Sequence, residues 1–296
     1  MRLTRAMLVL ALTVCAAPAL SDVIYTEKSL YRNISATDEG DRVCMLFTAK
    51  GRFESMQSCM FKHDHDLLVF DYARMAFAGL LVNPNPKSVL IAGLGGGSIP
   101  RVFREVFPDT QVDVIEIDPA VVRVAEEYFD FQAGANINVV VQDARVYIKR
   151  ALKQNKKYDY IILDAYNGEY IPEHLMTKEF LEECRELLTD NGVLIANTFS
   201  LSRLYHSESV TYEEAFGWLV NVKQKSGNRI VLTRKGEKLT ADELFAAARK
   251  DKRQFQRFGI NLRLLAMLAK FEPDWNQDAR VLTDQYSPAN LLNGPR

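Results

Sequence analysis

Val89-Leu90-Ile91-Ala92-Gly93-Leu94-Gly95-Gly96-Gly97-Ser98-Ile99-Pro100 runs four apolar residues into a cluster of glycines and then directly into helical sequence. A short, wholly apolar run bounded by glycine is the pattern of a strand buried on both faces. Glycines at its exit permit a tight turn and let a ligand approach the backbone. The helix that follows presents unpaired N–H groups to an oxygen-rich group. Gly93, Gly95, Gly96, Gly97 and Ser98 are therefore the candidate residues for cradling such a ligand.

Outward from this turn, apolar runs alternate with helical periodicity. Strands are expected at 89–92, 111–115, 139–141, 158–163 and 193–197, and helices at 99–107, 119–129, 144–154 and 178–188. This alternation implies βαβ units and a mainly parallel sheet. A hairpin over 216–223 and 229–234 closes the series. Upstream, residues 22–66 read as short strands with polar turns at 38–41 and 49–52. Residues 67–82 read as one helix, stopped by Asn83-Pro84-Asn85-Pro86. Two more helices, 241–250 and 254–270, precede an irregular tail. The resulting division is 1–21, 22–66, 67–235 and 236–296.

Three acidic residues stand at the ends of successive strands. Glu116 ends Val114-Ile115-Glu116 and lies 23 residues after Gly93, where a carboxylate can accept both hydroxyls of a ribose. Asp143, followed by Ala144, closes the next strand within reach of an adenine amino group; capping of the following helix explains it equally well. Asp164 ends Ile161-Ile162-Leu163-Asp164 and could position an amine and take its proton. Ligands of open α/β sheets bind at the carboxyl ends of strands, so the three acids and the glycine turn point to a nucleoside site.

These motifs resemble the spermidine/spermine synthase family. The resemblance rests on the glycine turn, Glu116-Ile117-Asp118, Asp143-Ala144-Arg145, and Asp164 followed by Pro172-x-x-Leu175-x-Thr177-x-Glu179-Phe180. Leu282-Thr283-Asp284-Gln285-Tyr286-Ser287-Pro288 is similar to the ending of divergent bacterial members. It covers about 67–235 and implies a methyltransferase-like Rossmann fold with a small N-terminal β-domain. It also implies a sulfonium nucleoside co-substrate, S-adenosylmethionine or its decarboxylated form, with no tightly bound cofactor. Glu116 would hold the ribose, Asp143 the adenine, and Asp164 would act on the attacking amine; Tyr72, Tyr166 and Asn167 fall on the acceptor side. By the same resemblance, members are often homodimers.

The departures from that pattern fall where amines are bound. Ser98 replaces the aspartate that binds the donor's free amine, Asn167 replaces a second aspartate after Asp164, and Tyr72-Ala73-Arg74 replaces Tyr-His/Gln-Glu. Each lost charged hydrogen bond is worth about 1.5–3 kcal/mol, so a polyamine site built this way is weakened, and Arg74 is expected to weaken it further. Three functions follow as expectations: aminopropyl transfer to an amine, methyl transfer from S-adenosylmethionine, or a binding protein that has lost turnover.

The chain has 296 residues, 37 basic and 38 acidic, a formal charge of −1 that lacks the basic excess nucleic-acid binding needs. Arg2 and Arg5 precede an apolar run over 6–20 with small residues at its exit, the form of a secretory signal peptide. The run is short for a membrane span of about 20 residues. The expected location is the periplasm, with no integral span after cleavage. In an oxidising compartment Cys44 and Cys59, on two adjacent strand-like runs, could pair; two free thiols are the alternative. Cys184 sits on the apolar face of a helix and reads as a core residue. His63-Asp64-His65-Asp66 reads as a solvated turn, and no metal is expected. His174 and His206 flank the presumed crevice, and Tyr170 and Trp218 are alternative wall residues.

Overall fold

The computed structural model describes residues 22–48, 54–166, 171–224, 227–250 and 253–286. The leader over 1–21 and Asn167 lie outside these residues.

Four strands, β1 (Asp22–Lys28), β2 (Asn33–Asp38), β3 (Arg42–Thr48) and β4 (Glu54–Phe61), form an antiparallel meander in that order. Cys44 and Cys59 face each other across β3 and β4 and are joined by a disulfide. The cross-link closes a loop of 15 residues, for which chain entropy predicts about 3 kcal/mol of stabilisation. A Cys44→Ala/Cys59→Ala chain is expected to unfold several degrees below the oxidised protein in a thermal melt. Adding reductant should then lower the melting point of the parent chain and leave the variant unchanged.

After α1 (Asp71–Met75) the chain alternates β5 (Ser88–Ala92), α2 (Ser98–Val106), β6 (Gln111–Glu116), α3 (Pro119–Tyr128), β7 (Ile137–Val141), α4 (Ala144–Lys153), β8 (Tyr158–Leu163), α5 (Lys178–Leu187) and β9 (Leu188–Phe199). Then come α6 (Tyr205–Phe216), the hairpin β10 (Val220–Lys223) and β11 (Asn228–Arg234), α7 (Ala241–Ala248), α8 (Leu262–Leu268) and β12 (Ala269–Lys270). The eight-stranded sheet has the order β12-β10-β11-β9-β8-β5-β6-β7. The five strands from β9 to β7 are parallel, and β11, β10 and β12 add antiparallel pairs. This is the methyltransferase-like α/β architecture. Val89, Leu90, Ile91 and Ala92 of β5 are all buried, because helices cover both faces of the sheet.

Three segments depart from the expected elements. Residues 67–82 do not form one helix: Leu68 pairs with Met60 as an isolated bridge, and α1 passes into a 3-10 helix over Ala76–Leu81. The Tyr160 hydroxyl donates to the Ala76 carbonyl and accepts from Gly79 N–H, so a side chain takes over part of the backbone bonding of that turn. Residues 205–216 form α6, which the sequence hid. Its buried face includes Glu208, Ser209 and Thr211, and Arg229 neutralises and hydrogen-bonds Glu208 and Ser209. The long C-terminal helix is split at Gly259, whose φ of +71° ends the 3-10 helix Arg253–Phe258; Asn261 then caps α8.

Candidate active site

The chain visits β5, β6 and β7 on one side and then returns to place β8 and β9 on the other. Between β5 and β8 the strand order reverses, and there the loops diverge and leave a crevice. Gly93 leaves β5 with φ +102°; a Cβ on it would lie 2.2 Å from the Asp164 carbonyl oxygen. Asp164 N–H donates to the Ala92 carbonyl at 2.8 Å, so the two strand ends are fixed against each other. Only glycine allows Asp164 to sit that close.

The crevice has a volume of about 260 Å³ and is walled on one side by strand ends and on the other by the N-terminal meander. Gly93, Gly95, Glu116, Asp143, Ala144 and Asp164 line it, as do Tyr72 and Tyr166. Gly96 and Gly97 do not. Both are packed close behind the turn, where a Cβ on Gly96 would meet Ser58 and Phe129 and one on Gly97 would meet Phe131. Ser98 lines a small adjoining space beside Cys59, Tyr72 and Asp164.

Glu116 is buried and accepts two backbone bonds, from Leu94 N–H and Asp118 N–H, each 3.0 Å. Burial raises its carboxyl pKa; these N–H donors and the nearby Arg32 guanidinium act against that rise. Asp143 both caps α4, accepting from Val146 N–H at 2.9 Å, and reaches His174 Nε2 at 2.8 Å. The His174 bond, partly offset by burial, and the Val146 N–H hold the Asp143 carboxyl below the usual range. The capping and ligand-facing roles are therefore compatible. Asp164 accepts from Asn197 Nδ2 at 2.9 Å. Burial pushes its carboxyl up to about 7, with Asn197 opposing and the charge of Glu116 adding to the rise. A carboxyl titrating near neutrality, at the floor of a cleft, is suited to exchanging a proton with an amine.

Several wall residues escaped the sequence reading. Arg32, from the turn between β1 and β2, donates from Nη1 to the Tyr166 carbonyl at 2.9 Å and stacks its guanidinium 4.4 Å above the Phe47 ring. Its Nε is buried without a hydrogen-bond partner, as is Oε1 of Gln142, and both side chains line the crevice. Ser29, three residues before Arg32, donates to Asp118 at 2.5 Å and ties the turn to the end of β6. Gln57 is a further wall residue, and its carbonyl accepts from the Tyr72 hydroxyl at 2.9 Å.

Other expected contributors turn away. Arg74 donates to the Leu68 carbonyl and pairs with Asp71 at 2.5 Å, so it does not place a positive charge in the crevice. His206 accepts from Asn276 N–H, and Trp218 is a core residue whose indole faces the Gly236 carbonyl. His65 pairs with Asp130, and no group of three metal-binding side chains occurs among the described residues.

A mainly parallel α/β sheet with acids at three strand ends and a glycine turn at its reversal point is the architecture of the methyltransferase-like class. The spermine/spermidine synthase domain model matches residues 70–224, and the chain belongs to that family. A polyamine aminopropyltransferase of Vibrio vulnificus is 48% identical over 275 residues, covering 92% of this chain and 92% of its own. A probable spermidine synthase from Corynebacterium glutamicum superposes with a TM-score of 0.65 at 22% identity, over 89% of this chain and 97% of its own. Human methyltransferase-like protein 13, in complex with SAH, superposes with a TM-score of 0.53 at 26% identity, over 73% and 96%.

Proposed function

We propose that the chain transfers an aminopropyl group from decarboxylated S-adenosylmethionine to an amine acceptor. The observation that carries this reading is the convergence of Glu116, Asp143 and Asp164 with the Gly93 turn on one cleft. Glu116 accepts the ribose hydroxyls and Arg32 faces the same sugar as a donor. Asp143 receives the adenine amino group, and the backbone at Ala144 borders the base. Tyr72 and Tyr166 wall the acceptor end.

In the reaction, the lone pair of a neutral amine attacks the aminopropyl carbon bound to sulfur. The C–S bond breaks and its electron pair stays on sulfur, giving the neutral thioether methylthioadenosine. The nitrogen proton passes to the Asp164 carboxylate. Loss of the sulfonium charge in a low-dielectric cleft assists the displacement. Incubation with decarboxylated S-adenosylmethionine and putrescine is expected to release methylthioadenosine; a chain that binds the nucleoside and releases none would overturn the reading. Arg32→Ala is expected to raise the donor KM about 10- to 100-fold, since one charged hydrogen-bond donor is worth about 1.5–3 kcal/mol, and to change kcat less.

Methyl transfer is the second reading, favoured by Ser98, which puts a hydroxyl where a carboxylate would hold the donor's free amine. Calorimetric titration with both donors separates the two: tighter binding of the intact methionine donor supports methylation. We also propose that the protein is exported to the periplasm. The basic start and apolar run over 1–21 support this, as does a disulfide between Cys44 and Cys59.

A further inference from the structure

On the C-terminal helices, away from the strand ends that form the cleft, a shallow groove of about 470 Å³ runs between the end of α7 and the start of α8. Arg249, Lys250, Arg253 and Arg263 line it, and none of its described lining residues is acidic. Arg249, Lys250 and Arg263 form no ion pair among the described residues. Arg257, by contrast, is engaged by Asp66 and Glu105 and leaves the face. Between residues 241 and 270 the sequence holds seven basic and three acidic residues, on a chain whose formal net charge is −1. The charge is concentrated in this stretch, and Arg249, Lys250, Arg253 and Arg263 bring part of it to the groove, a positive face on a protein without a positive total.

The same helices expose apolar side chains. Phe245 is 39% exposed, Leu264 40% and Met267 57%. Phe245 lies four residues before Arg249, which caps the C-terminus of α7 in helical conformation, and Arg263 and Met267 are four apart on α8, so each helix carries an apolar group and a cation on one stripe. A soluble anion has no use for the apolar members of these stripes. A second copy on a two-fold axis would bring the same cations face to face.

We propose that this face docks the protein peripherally on an anionic lipid surface. Arg249, Lys250 and Arg263 meet the headgroup phosphates, while Phe245, Leu264 and Met267 enter the headgroup layer. Each basic residue at such a surface strengthens binding by about fivefold, and the effect fades beyond a Debye length. No helix of the described residues is long and apolar enough to cross a membrane, so the attachment is to the surface.

The test uses the chain from residue 22 onward, which keeps every described strand and helix and removes the apolar leader as a competing membrane ligand. It is co-sedimented with vesicles of phosphatidylcholine alone or with about 30% phosphatidylglycerol, at low salt and at about 0.5 M NaCl. The expected result is binding to the anionic vesicles that largely disappears at high salt. Arg249→Gln/Arg263→Gln should weaken it on the order of 25-fold. Phe245→Ser/Met267→Ser should weaken it at either salt, and donor binding in the cleft should be unchanged in both variants. Equal binding to neutral vesicles would overturn the proposal, as would variants that bind like the parent. So would calorimetric binding of inorganic phosphate without vesicle binding, or a dimer in sedimentation velocity that either double variant breaks.

Discussion

Asp164→Asn is expected to lower kcat by about 10²–10⁴, the range that a positioned general base supplies, with donor affinity within a few-fold of the parent. The side chain keeps its shape and its place beside Asn197 but can no longer accept a proton. In the parent, the carboxyl is pushed up to about 7 by burial, so kcat should fall tenfold per pH unit below that value and level off above it. The variant should lose this limb of the profile. The same shift has a cost in stability. A carboxyl whose folded pKa is raised above its unfolded value binds more protons when folded, so stability is highest below the unfolded pKa and declines as pH rises towards 7. Above pH 7, Asp164→Asn should therefore be more stable than the parent, by on the order of 2 kcal/mol. That is less than full burial would give, because the cleft admits water. At pH 4 the difference should vanish in a thermal melt. A variant that is inactive yet no more stable at pH 8 would show that Asp164 is not held at raised pKa.

Glu116→Ala should weaken donor binding by about 10²–10⁴, since two charged hydrogen bonds to a ribose are each worth about 1.5–3 kcal/mol. It also frees Leu94 N–H and Asp118 N–H, which lose their carboxylate acceptor. Arg32 then faces one anion fewer. Because these N–H groups shape the glycine turn and the start of α3, part of the loss will appear as stability. Glu116→Gln separates the contributions: its amide oxygen can still accept one backbone bond, so folding should recover while donor binding stays weak. A Glu116→Ala chain that binds donor within threefold of the parent would remove Glu116 from the ribose site. Titration calorimetry with the donor, run beside thermal melts of both variants, reads the two effects apart.

The strand-end side of the cleft was legible because it depends on local order. A buried strand, a glycine turn and a helix start are contiguous, and strand-end acids fall at the boundary between two periodicities. The opposite wall depends on docking. Arg32 sits in an ordinary two-strand turn, and nothing local marks a guanidinium that reaches Phe47, Tyr166 and the neighbourhood of Glu116. Asn197 lies in the interior of an apolar strand, where its pairing with Asp164 is a contact between strands 33 residues apart. The α6 helix was invisible for a related reason: Glu208, Ser209 and Thr211 interrupt its buried apolar residues, with Glu208 and Ser209 bonded to Arg229, so the apolar period that marks a helix is broken. Gly96 and Gly97 matched the pattern of ligand-cradling residues, yet Phe129 and Phe131 decide their use.

Arg32, Phe47 and Gln57 all precede residue 70, where the segment matched by the family model begins. The strand-end wall and the roof above it thus come from two parts of the chain, joined by the Ser29–Asp118 and Arg32–Tyr166 bonds. Because Arg32 also faces Glu116, exchanging this roof between relatives is expected to shift the grip on the donor together with the shape of the opposite wall.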